Sequence, residues 1–402
     1  MHLVDTKFLH QVRVVLLEWR RTHDHDDENS NYFSEWRFRI PQENYDKLCF
    51  KMRNHHHYIP KAFSMKFQAV HGDENHNELL LEKEESPAFD VKICYTFQWI
   101  LISKFDEHVI QVFDADKKIL KYQLYTLEKP RMMCVEENCK GVIHKNLNSN
   151  QSEGGEEKTF LIFGRDDETV FKINLKSILE RMQRGLNSSS MTTDDVIWKQ
   201  LIDTPNGICV KECEETSENF VYVVDGYRAR VVVLRSMNGS LVQYIDAEHG
   251  LSFSSPWSIS VIQPTGDLMI TEGLPFPHIR IIRPERRRTT SSFDNKTPLQ
   301  PTRWECVKIL GEQHLRWPLG AVCENQTSKN IYVCDKMMPG IFVLDLEGHL
   351  ITRGPPSSLK RHGKINSHSH PCVTQCYAVC LNEWTGELLI ATDSSHSLCV
   401  YR

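Results

Sequence analysis

Short apolar runs recur along the chain in pairs, and each pair has the pattern of a β-hairpin. The first run ends on a polar or small residue, a loop of about five residues follows, and a second apolar run comes next. Six pairs are present: 99–104 with 110–114, 160–164 with 170–174, 220–225 with 231–235, 268–272 with 279–283, 331–335 with 341–345, and 388–393 with 398–402. Each pair predicts two antiparallel strands joined by a turn.

Further strands flank several of these pairs. An apolar stretch with a turn signal comes before four of them, at 205–210, 255–261, 317–322 and 377–381. Another stretch follows five of them, at 119–125, 196–202, 241–245, 306–310 and 349–352. Units of four strands that recur roughly every 45–65 residues are typical of β-propeller blades, not of a sandwich or a helical solenoid. The sequence therefore predicts an all-β fold, a six-bladed β-propeller.

Two of the runs carry a familiar residue pattern. Residues 331–335 read Ile-Tyr-Val-Cys-Asp, and residues 108–114 read His-Val-Ile-Gln-Val-Phe-Asp. Over roughly residues 87–402 the chain resembles the NHL-repeat family, whose blades carry I-Y-V-x-D and H-R-I-Q-V-F-D strands. The residues that end the six first runs are Lys104, Gly164, Asp225, Glu272, Asp335 and Asp393. The family pattern has an acidic residue at this position, and Lys104 and Gly164 depart from it.

The resemblance implies a binding module and not a catalyst. NHL domains of tripartite-motif ubiquitin ligases bind proteins and RNA, so it implies these two classes of partner. The chain has no RING or B-box zinc spacing, and by itself we expect it to transfer no ubiquitin. Its role could instead be to recruit substrate for a ubiquitin ligase.

The predicted domain boundary lies near residue 60. Residues 1–60 are expected to form a small, partly irregular extension, and residues 61–402 the NHL-type propeller. The last repeat ends directly after its third strand, which would leave an open sheet edge. We therefore expect an N-terminal strand at 62–70, or alternatively at 77–83, to close the ring.

Charge and composition narrow the function classes. The chain has 402 residues, 40% hydrophobic and 25% charged, so global disorder is excluded. Its net charge of −5 provides no general attraction for nucleic acid or an anionic membrane. The apolar run at 12–17 is too short for a secretory signal. The 13 cysteines are scattered singly through the apolar runs, a pattern typical of reduced cysteines and not of a disulfide framework. These features predict a cytoplasmic or nuclear protein that does not associate with membranes.

Metal and cofactor chemistry is not expected. Histidine and cysteine residues cluster at 362–380, but they contain no Cys-x2-Cys pair of the kind that binds zinc. The three consecutive histidines at 55–57 are expected to form an exposed polar tract. The chain contains no P-loop, dinucleotide fingerprint or nucleophile elbow. A metal-dependent six-bladed propeller hydrolase or lyase stays open as an alternative, although the inner strands supply no convergent set of ligands.

Four polar stretches are expected to be exposed insertions, at 139–158, 184–195, 284–303 and 354–371. The third contains Arg286, Arg287 and Arg288 followed by threonines and serines. This basic loop could bind phosphate or be a kinase site, and the alternative is an ordinary solvated loop.

The predicted interaction surface is formed by the turns between the second and third strands of the blades. Those turns emerge on the same side as the links between blades, and they contain residue types common at interfaces. The candidate binding residues are Phe105, His108, Tyr227, Arg228, Arg230, Phe276, His278, Met337, Met338 and His396. The sequence therefore predicts a protein-interaction scaffold, with RNA as the alternative partner.

Four tryptophans at strand edges are expected to pack between blades, with ligand stacking as the alternative: Trp99, Trp257, Trp317 and Trp384.

Overall fold

The structure is a computed structural model that describes residues 87–126, 129–139, 158–165, 168–183, 190–213, 218–263, 265–285, 303–324, 329–338, 340–354, 375–392 and 398–401. The N-terminal extension, the expected closing strand, His396 and the basic loop of Arg286, Arg287 and Arg288 lie outside these residues. Those predictions therefore stay predictions.

The described residues form six small antiparallel sheets, numbered here as blades in chain order. Blade 1 contains β1 (Ala88–Cys94), β2 (Trp99–Lys104), β3 (Val109–Asp114) and β4 (Leu120–Tyr125). Blade 2 contains β5 (Pro130–Cys139), β6 (Lys158–Arg165), β7 (Thr169–Asn174) and β8 (Val196–Leu201). Blade 3 contains β9 (Pro205–Cys213), β10 (Glu218–Asp225), β11 (Arg230–Arg235) and β12 (Leu241–Ile245).

The second half of the ring repeats this arrangement. Blade 4 contains β13 (Pro256–Ile262), β14 (Asp267–Glu272), β15 (His278–Pro284) and β16 (Trp304–Leu310). Blade 5 contains β17 (Pro318–Cys323), β18 (Ile331–Asp335), β19 (Ile341–Leu344) and β20 (Leu350–Gly354). Blade 6 contains β21 (Cys376–Leu381), β22 (Leu388–Thr392) and β23 (Leu398–Tyr401).

In every blade the strands pair in chain order, and the first strand lies innermost because it contacts the first strands of the neighbouring blades. The chain is thus a six-bladed β-propeller, as predicted. The inner strands β1 and β5 were not recognised in the sequence. Both interrupt the apolar alternation with charged side chains, among them Asp90, Lys92 and Glu136.

Apolar side chains fill the spaces between adjacent blades. The ring closes where blade 6 packs against blade 1, with Val91 and Ile102 buried against Leu389 and Ala391. Full burial of a valine, leucine or isoleucine side chain contributes about 1.5–3 kcal/mol. The Tyr95 hydroxyl also crosses this seam and donates to the Leu381 carbonyl at 3.3 Å. The described residues therefore already join the first and last blades.

One helix was not predicted. Helix α1 (Leu175–Gln183) lies between β7 and β8, on the opposite side of the ring from the turns between second and third strands. Asn174 caps its N-terminus, because its Oδ1 accepts a hydrogen bond from the Ser177 amide at 3.2 Å. Ile178 and Leu179 are buried in the core. In the described part of the chain, no helix has the length and apolar character needed to cross a membrane.

Every inner strand has an irregular register just after its first residue. Such a bulge re-aims the side chain of the extra residue. Because the inner strands are neighbours around the ring, the six bulges lie at one level near the end of the central channel. The residues directly after the first residue of each inner strand are Phe89, Arg131, Asn206, Trp257, Leu319 and Tyr377.

Candidate interaction face

One side of the ring carries the turns between second and third strands together with the links between blades; we call it the turn face. Its described residues are 105–108, 168, 226–229, 273–277, 336–338 and 340 from the turns, and 126, 129, 202–204, 246–255, 311–317 and 375 from the links. Turns and links contact each other directly. The Thr126 amide, in a link, donates to the His108 carbonyl at 2.8 Å, and Arg228 forms an ion pair with Asp203.

Buried acidic residues fix the loops of the turn face. Asp335 ends β18 with no exposed surface, and its carboxylate accepts backbone hydrogen bonds from both neighbouring loops. Its Oδ2 accepts from the amides of Arg316 at 2.6 Å and Trp317 at 2.9 Å, and Oδ1 accepts from Met337 at 3.0 Å. One carboxylate therefore ties the link before blade 5 to the turn within blade 5.

Asp225 and Glu272 occupy the same position in blades 3 and 4. Asp225 accepts from Arg230 Nε at 3.0 Å. Glu272 accepts from the Ser254 amide at 2.7 Å, and Arg280 Nε lies 2.7 Å from its Oε1. Burial raises the pKa of Glu272, but the His278 hydrogen bond, the Ser254 amide and the charge of Arg280 outweigh burial and hold the pKa below its usual value.

In two blades, the residue that ends the second strand is not the one that the sequence pattern predicts. The residue paired with the first residue of the inner strand is Arg165 in blade 2 and Thr392 in blade 6. The sequence placed Gly164 and Asp393 there, and Asp393 lies outside the described residues. The predicted strand end differs from the observed one by one residue in each of these blades, because strand ends are less distinct in a sequence than strand centres.

Several of the predicted binding residues are exposed on the turn face. Tyr227 is 80% exposed, Phe276 is 69% exposed and Met337 is 58% exposed. Arg228 is also exposed. Each of these residues lies at the tip of a turn, so blades 3, 4 and 5 each present an apolar or aromatic side chain to solvent.

The remaining predicted residues are less accessible. Phe105, His108 and Met338 are half-buried. His278 was expected on the surface but is 5% exposed, because it is the first residue of β15 and its Nε2 lies 3.2 Å from the Glu272 carboxylate. Arg230 is likewise engaged with Asp225. We therefore assign His278 and Arg230 to holding the turns in place.

The structure also shows an aromatic cluster that the sequence analysis did not recognise, at the end of the channel on the turn face. Phe89 of β1 lies between Phe105 and Tyr377, with ring centroids 4.8 Å from each. Lys129 stacks over Phe105 at 4.7 Å from the ring centroid. This half of the cluster joins blade 6 to blade 1 and to the link that leads to blade 2.

The other half contains two tryptophans. Trp257 of β13 and Trp317, just before β17, meet edge to face with centroids 6.1 Å apart. The Arg131 guanidinium stacks over Trp257 at 5.5 Å, and the Lys336 ammonium stacks over Trp317 at 4.9 Å. We call the whole cluster the channel mouth; it consists of Phe89, Phe105, Lys129, Arg131, Trp257, Trp317, Lys336 and Tyr377.

The expectation that the tryptophans pack between blades has a mixed outcome. Trp99 is 9% exposed and packs in the apolar core, and Trp384 contacts Tyr95 across the seam between blades 6 and 1, with centroids 4.7 Å apart. Trp257 and Trp317 are half-buried at the channel mouth. A sequence signal for the mouth existed: in blades 2 to 5 the inner strand opens with proline, and its bulged residue follows directly.

The described part of the chain holds no group of three or more His, Cys, Asp or Glu side chains that could bind a metal ion. Burial raises the pKa of the Cys134 thiol to about 12 and that of Cys380 to about 11. Thiols with such pKa values are protonated at neutral pH and are poor nucleophiles.

No protein-family model matches the chain, and no curated protein matches its sequence. Solved structures resemble it in fold. The β-propeller domain of Myceliophteria thermophila Cps50 (Swd1) is 7% identical, with a TM-score of 0.48 over 84% of this chain and 99% of that one. Kuenenia stuttgartiensis hydrazine synthase is 11% identical, with a TM-score of 0.47 over 80% of this chain and 97% of that one. A Bacteroides thetaiotaomicron protein of unknown function is 12% identical, with a TM-score of 0.47 over 80% and 70%. Identities this low leave function to be argued from the residues of this chain.

Proposed function

We propose that the protein is a non-catalytic interaction scaffold whose turn face binds a partner protein. The observation that carries this proposal is the exposure of Tyr227, Phe276 and Met337 at the turn tips of three consecutive blades. Tyrosine, phenylalanine and methionine are enriched at protein interfaces, and these three are presented by the same side of the ring. Leu274, in the same turn as Phe276, is 50% exposed and extends the apolar surface of blade 4.

The rigidity of the turns supports this proposal. Asp225, Glu272 and Asp335 are buried beneath the turns: Asp225 accepts from the Arg228 amide of its own turn, Glu272 from the Ser254 amide of the link before blade 4, and Asp335 from both the link and the turn of blade 5. A surface that is ordered before binding loses less conformational entropy when a partner binds. The similarity of the repeats to the NHL family points in the same direction, since propellers of that family act as binding modules. We further propose that the protein works in the cytoplasm or the nucleus.

RNA is the second candidate partner, because aromatic side chains and cations lie together at the channel mouth. Single-stranded nucleic acids bind to such combinations by stacking and by charge. The net charge of −5 weighs against RNA. A role in recruiting substrate to a ubiquitin ligase is a more specific form of the protein-binding proposal and rests on the NHL resemblance alone.

Proximity labelling with the full chain tests the proposal. The face variant carries Tyr227→Ala, Phe276→Ala and Met337→Ala, three exposed side chains whose loss leaves the core intact. The matched control carries Leu241→Ala and Ile351→Ala on the outer strands β12 and β20, where the side chains are 49% and 55% exposed and lie at the ends of the strands away from the turn face. Each form is compared with and without RNase, and a recovered protein is then purified for direct binding measurements.

We expect a specific protein partner whose recovery is unaffected by RNase. The face variant should bind it at least about 30-fold more weakly, since truncation of anchor residues typically costs 2 kcal/mol or more. The outer-strand control should bind it normally. Equal binding by both variants would contradict the proposal, and recovery that disappears with RNase would favour RNA.

A further inference from the structure

A buried histidine lies beneath the turn that carries Phe276. His278 is 5% exposed at the start of β15, and its Nδ1 lies 2.6 Å from the Phe276 carbonyl oxygen. Its Nε2 lies 3.2 Å from Oε1 of Glu272, the residue just before the turn. The imidazole therefore bridges the two ends of residues 273–277, the turn that presents Leu274 and Phe276 to solvent.

Both contacts are satisfied only by a doubly protonated imidazole. A carbonyl oxygen only accepts hydrogen bonds, so Nδ1 must carry a hydrogen to bond with Phe276. The pKa of Glu272 lies below its usual value, so its carboxylate is ionised at neutral pH and also only accepts. Nε2 must then carry a hydrogen as well, and the ring that bridges the turn is an imidazolium.

Arg280 offers the same ring a second arrangement. Its Nη2 lies 3.4 Å from His278 Nε2, and its Nε lies 2.7 Å from Glu272 Oε1. A guanidinium only donates hydrogen bonds, so it bonds to Nε2 only when the imidazole is neutral. Loss of one proton from His278 therefore turns the attraction between the ring and Glu272 into repulsion between a lone pair and a carboxylate oxygen. Nε2 then becomes an acceptor for Arg280.

The charged side chains that meet this imidazole in the described part of the chain are Glu272 of β14 and Arg280 of β15. The link before blade 4 contributes uncharged groups to the cluster. The Ser252 carbonyl accepts from Arg280 at 2.9 Å, the Phe253 ring lies under the guanidinium, and Ser254 bonds to Glu272. Blade 3 faces this seam with apolar side chains. Because histidine is the side chain that ordinarily changes its charge between pH 5 and 8, protonation of the ring decides between the two arrangements.

We propose that His278 is a pH-dependent clasp that orders the blade 4 turn when it is protonated and so strengthens the binding of a partner protein to the turn face. This inference rests on the proposed function, because Leu274 and Phe276 belong to the surface that is proposed to bind. The protonated ring ties the turn to Glu272, whose Oε2 is itself fixed by the Ser254 amide at 2.7 Å. A turn held at both ends loses less conformational entropy on binding than a turn held at one end.

Nuclear magnetic resonance of the full chain, labelled with 15N-histidine and 15N-phenylalanine, tests the clasp in a titration from about pH 8.5 to 5.5. The ring nitrogens of His278 report its protonation, and the Phe276 amide reports the order of the turn through its chemical shift and heteronuclear NOE. His278→Gln and Phe276→Tyr identify the two sets of signals. The matched control is His249→Gln, because His249 lies in the link before blade 4 and its Nδ1 bonds to Asp246 and not to the turn.

We expect the Phe276 amide to follow the protonation of His278 with the same midpoint and to become more ordered as the pH falls. This response should be absent in His278→Gln and unchanged in His249→Gln. The wild-type titration tests the coupling by itself, even if the His278 variant is unstable. A Phe276 amide that does not follow His278, or that becomes less ordered as His278 is protonated, would overturn the inference.

The effect on binding is measured with the protein recovered by proximity labelling. We expect the ratio of its affinities at pH 6 and pH 8 to be at least about fivefold larger for the wild-type chain than for His278→Gln, since a hydrogen bond to a charged group is involved. His249→Gln should keep the wild-type ratio. Equal ratios for the wild-type chain and His278→Gln would overturn the inference.

Failure of the inference can be distinguished from failure of the proposed function. If the face variant loses the partner while the wild-type chain and His278→Gln have equal affinity ratios, the turn face binds a protein but the clasp does not regulate it. If the face variant keeps the partner, the proposed function is wrong, and the titration of His278 and Phe276 decides by itself whether the clasp exists.

Discussion

Lys172 and Glu136 form an ion pair buried in the seam between blades 2 and 3, with Nζ 2.5 Å from Oε2 and side-chain exposures of 3% and 2%. Ser236, from the turn that leads to β12, accepts from Lys172 through its hydroxyl at 2.7 Å and donates to the Glu136 carboxylate. Asn219 of β10 donates to Glu136 at 2.7 Å. The two charges of blade 2 are thus matched by polar groups of blade 3, which fixes how the two blades align.

Removing the cation should destabilise the propeller strongly. Lys172→Met leaves the Glu136 carboxylate buried without its counter-charge, and we expect a loss of about 3–5 kcal/mol in the free energy of unfolding. Denaturant unfolding monitored by tryptophan fluorescence measures it. The control is Arg303→Met, which breaks a surface pair with side chains 69% and 44% exposed and should change stability by less than about 0.5 kcal/mol. A loss in Lys172→Met as small as in the control would show that the buried pair does not hold the seam.

The same network makes stability depend on pH. Burial raises the pKa of Glu136, but the Lys172 charge and the hydrogen bonds from Lys172, Ser236 and Asn219 outweigh it, so the pKa lies below its ordinary value. The pKa of Glu272 is also lowered. A carboxylate with a lowered folded-state pKa contributes stability that is fully present above the unfolded pKa and is lost as pH falls through the folded pKa.

We therefore expect the melting temperature to be steady near neutral pH and to fall as pH drops below about 4.3, the usual glutamate pKa. Thermal unfolding followed by circular dichroism from pH 7 to 3 measures this. Glu136→Gln should lower stability at pH 7 and flatten the acid slope, whereas the exposed control Glu312→Gln should leave the slope unchanged. An acid slope unaffected by Glu136→Gln would contradict the assignment.

Asp335 should control the order of the turn face. Asp335→Ala removes the acceptor of three amides, at Arg316, Trp317 and Met337. We expect a loss of about 2–4 kcal/mol and faster hydrogen exchange in residues 311–317 and 336–338. Asp345→Ala, at an exposed turn on the opposite side of blade 5, is the control and should leave exchange in those residues unchanged. Unchanged exchange in Asp335→Ala would contradict this role.

Close packing of inner strands should make Gly207 sensitive to substitution. A Cβ at Gly207 would lie 2.7 Å from the Ser258 Cα and 2.7 Å from the Trp257 carbonyl oxygen, both in the backbone of blade 4. Gly207→Ala should cost about 1–3 kcal/mol because the two strands must separate. Gly320 meets blade 6 less closely, at 3.1 Å from Ala378 Cα, so Gly320→Ala should cost less. The reverse order in thermal unfolding would contradict the packing.

The sequence was sufficient to predict the propeller, because its hairpins consist of apolar runs with clear turns between them. It was less informative where charge enters the core: the inner strand β1 contains Asp90, whose Oδ2 accepts from the Met133 amide of blade 2 at 2.7 Å. That partner is 43 residues away, and no local pattern indicates it. The sequence pattern therefore did not predict β1, because a contact with blade 2 stabilises this strand.

The candidate site was only partly predictable for a related reason. Turn tips such as Phe276 can be located from the strands on either side, and the exposure of the tip follows. His278 is close to Phe276 in sequence, but it begins the next strand and turns inward to Glu272. Trp257 and Trp317 come from different blades, and although each is next to the proline that opens an inner strand, no local pattern shows that the two rings meet.

Whether the turn face is the partner-binding surface is tested most directly by site-specific photo-crosslinking in cells. Benzoylphenylalanine is introduced at Phe276 on the turn face and, in a separate form of the chain, at Ile351 near the start of the outer strand β20, on the opposite side of the ring, where the side chain is 55% exposed. We predict a discrete crosslink to one protein partner from position 276, insensitive to RNase and absent from position 351. Crosslinks to the same protein from both positions, or from position 351 alone, would contradict a binding role for the turn face.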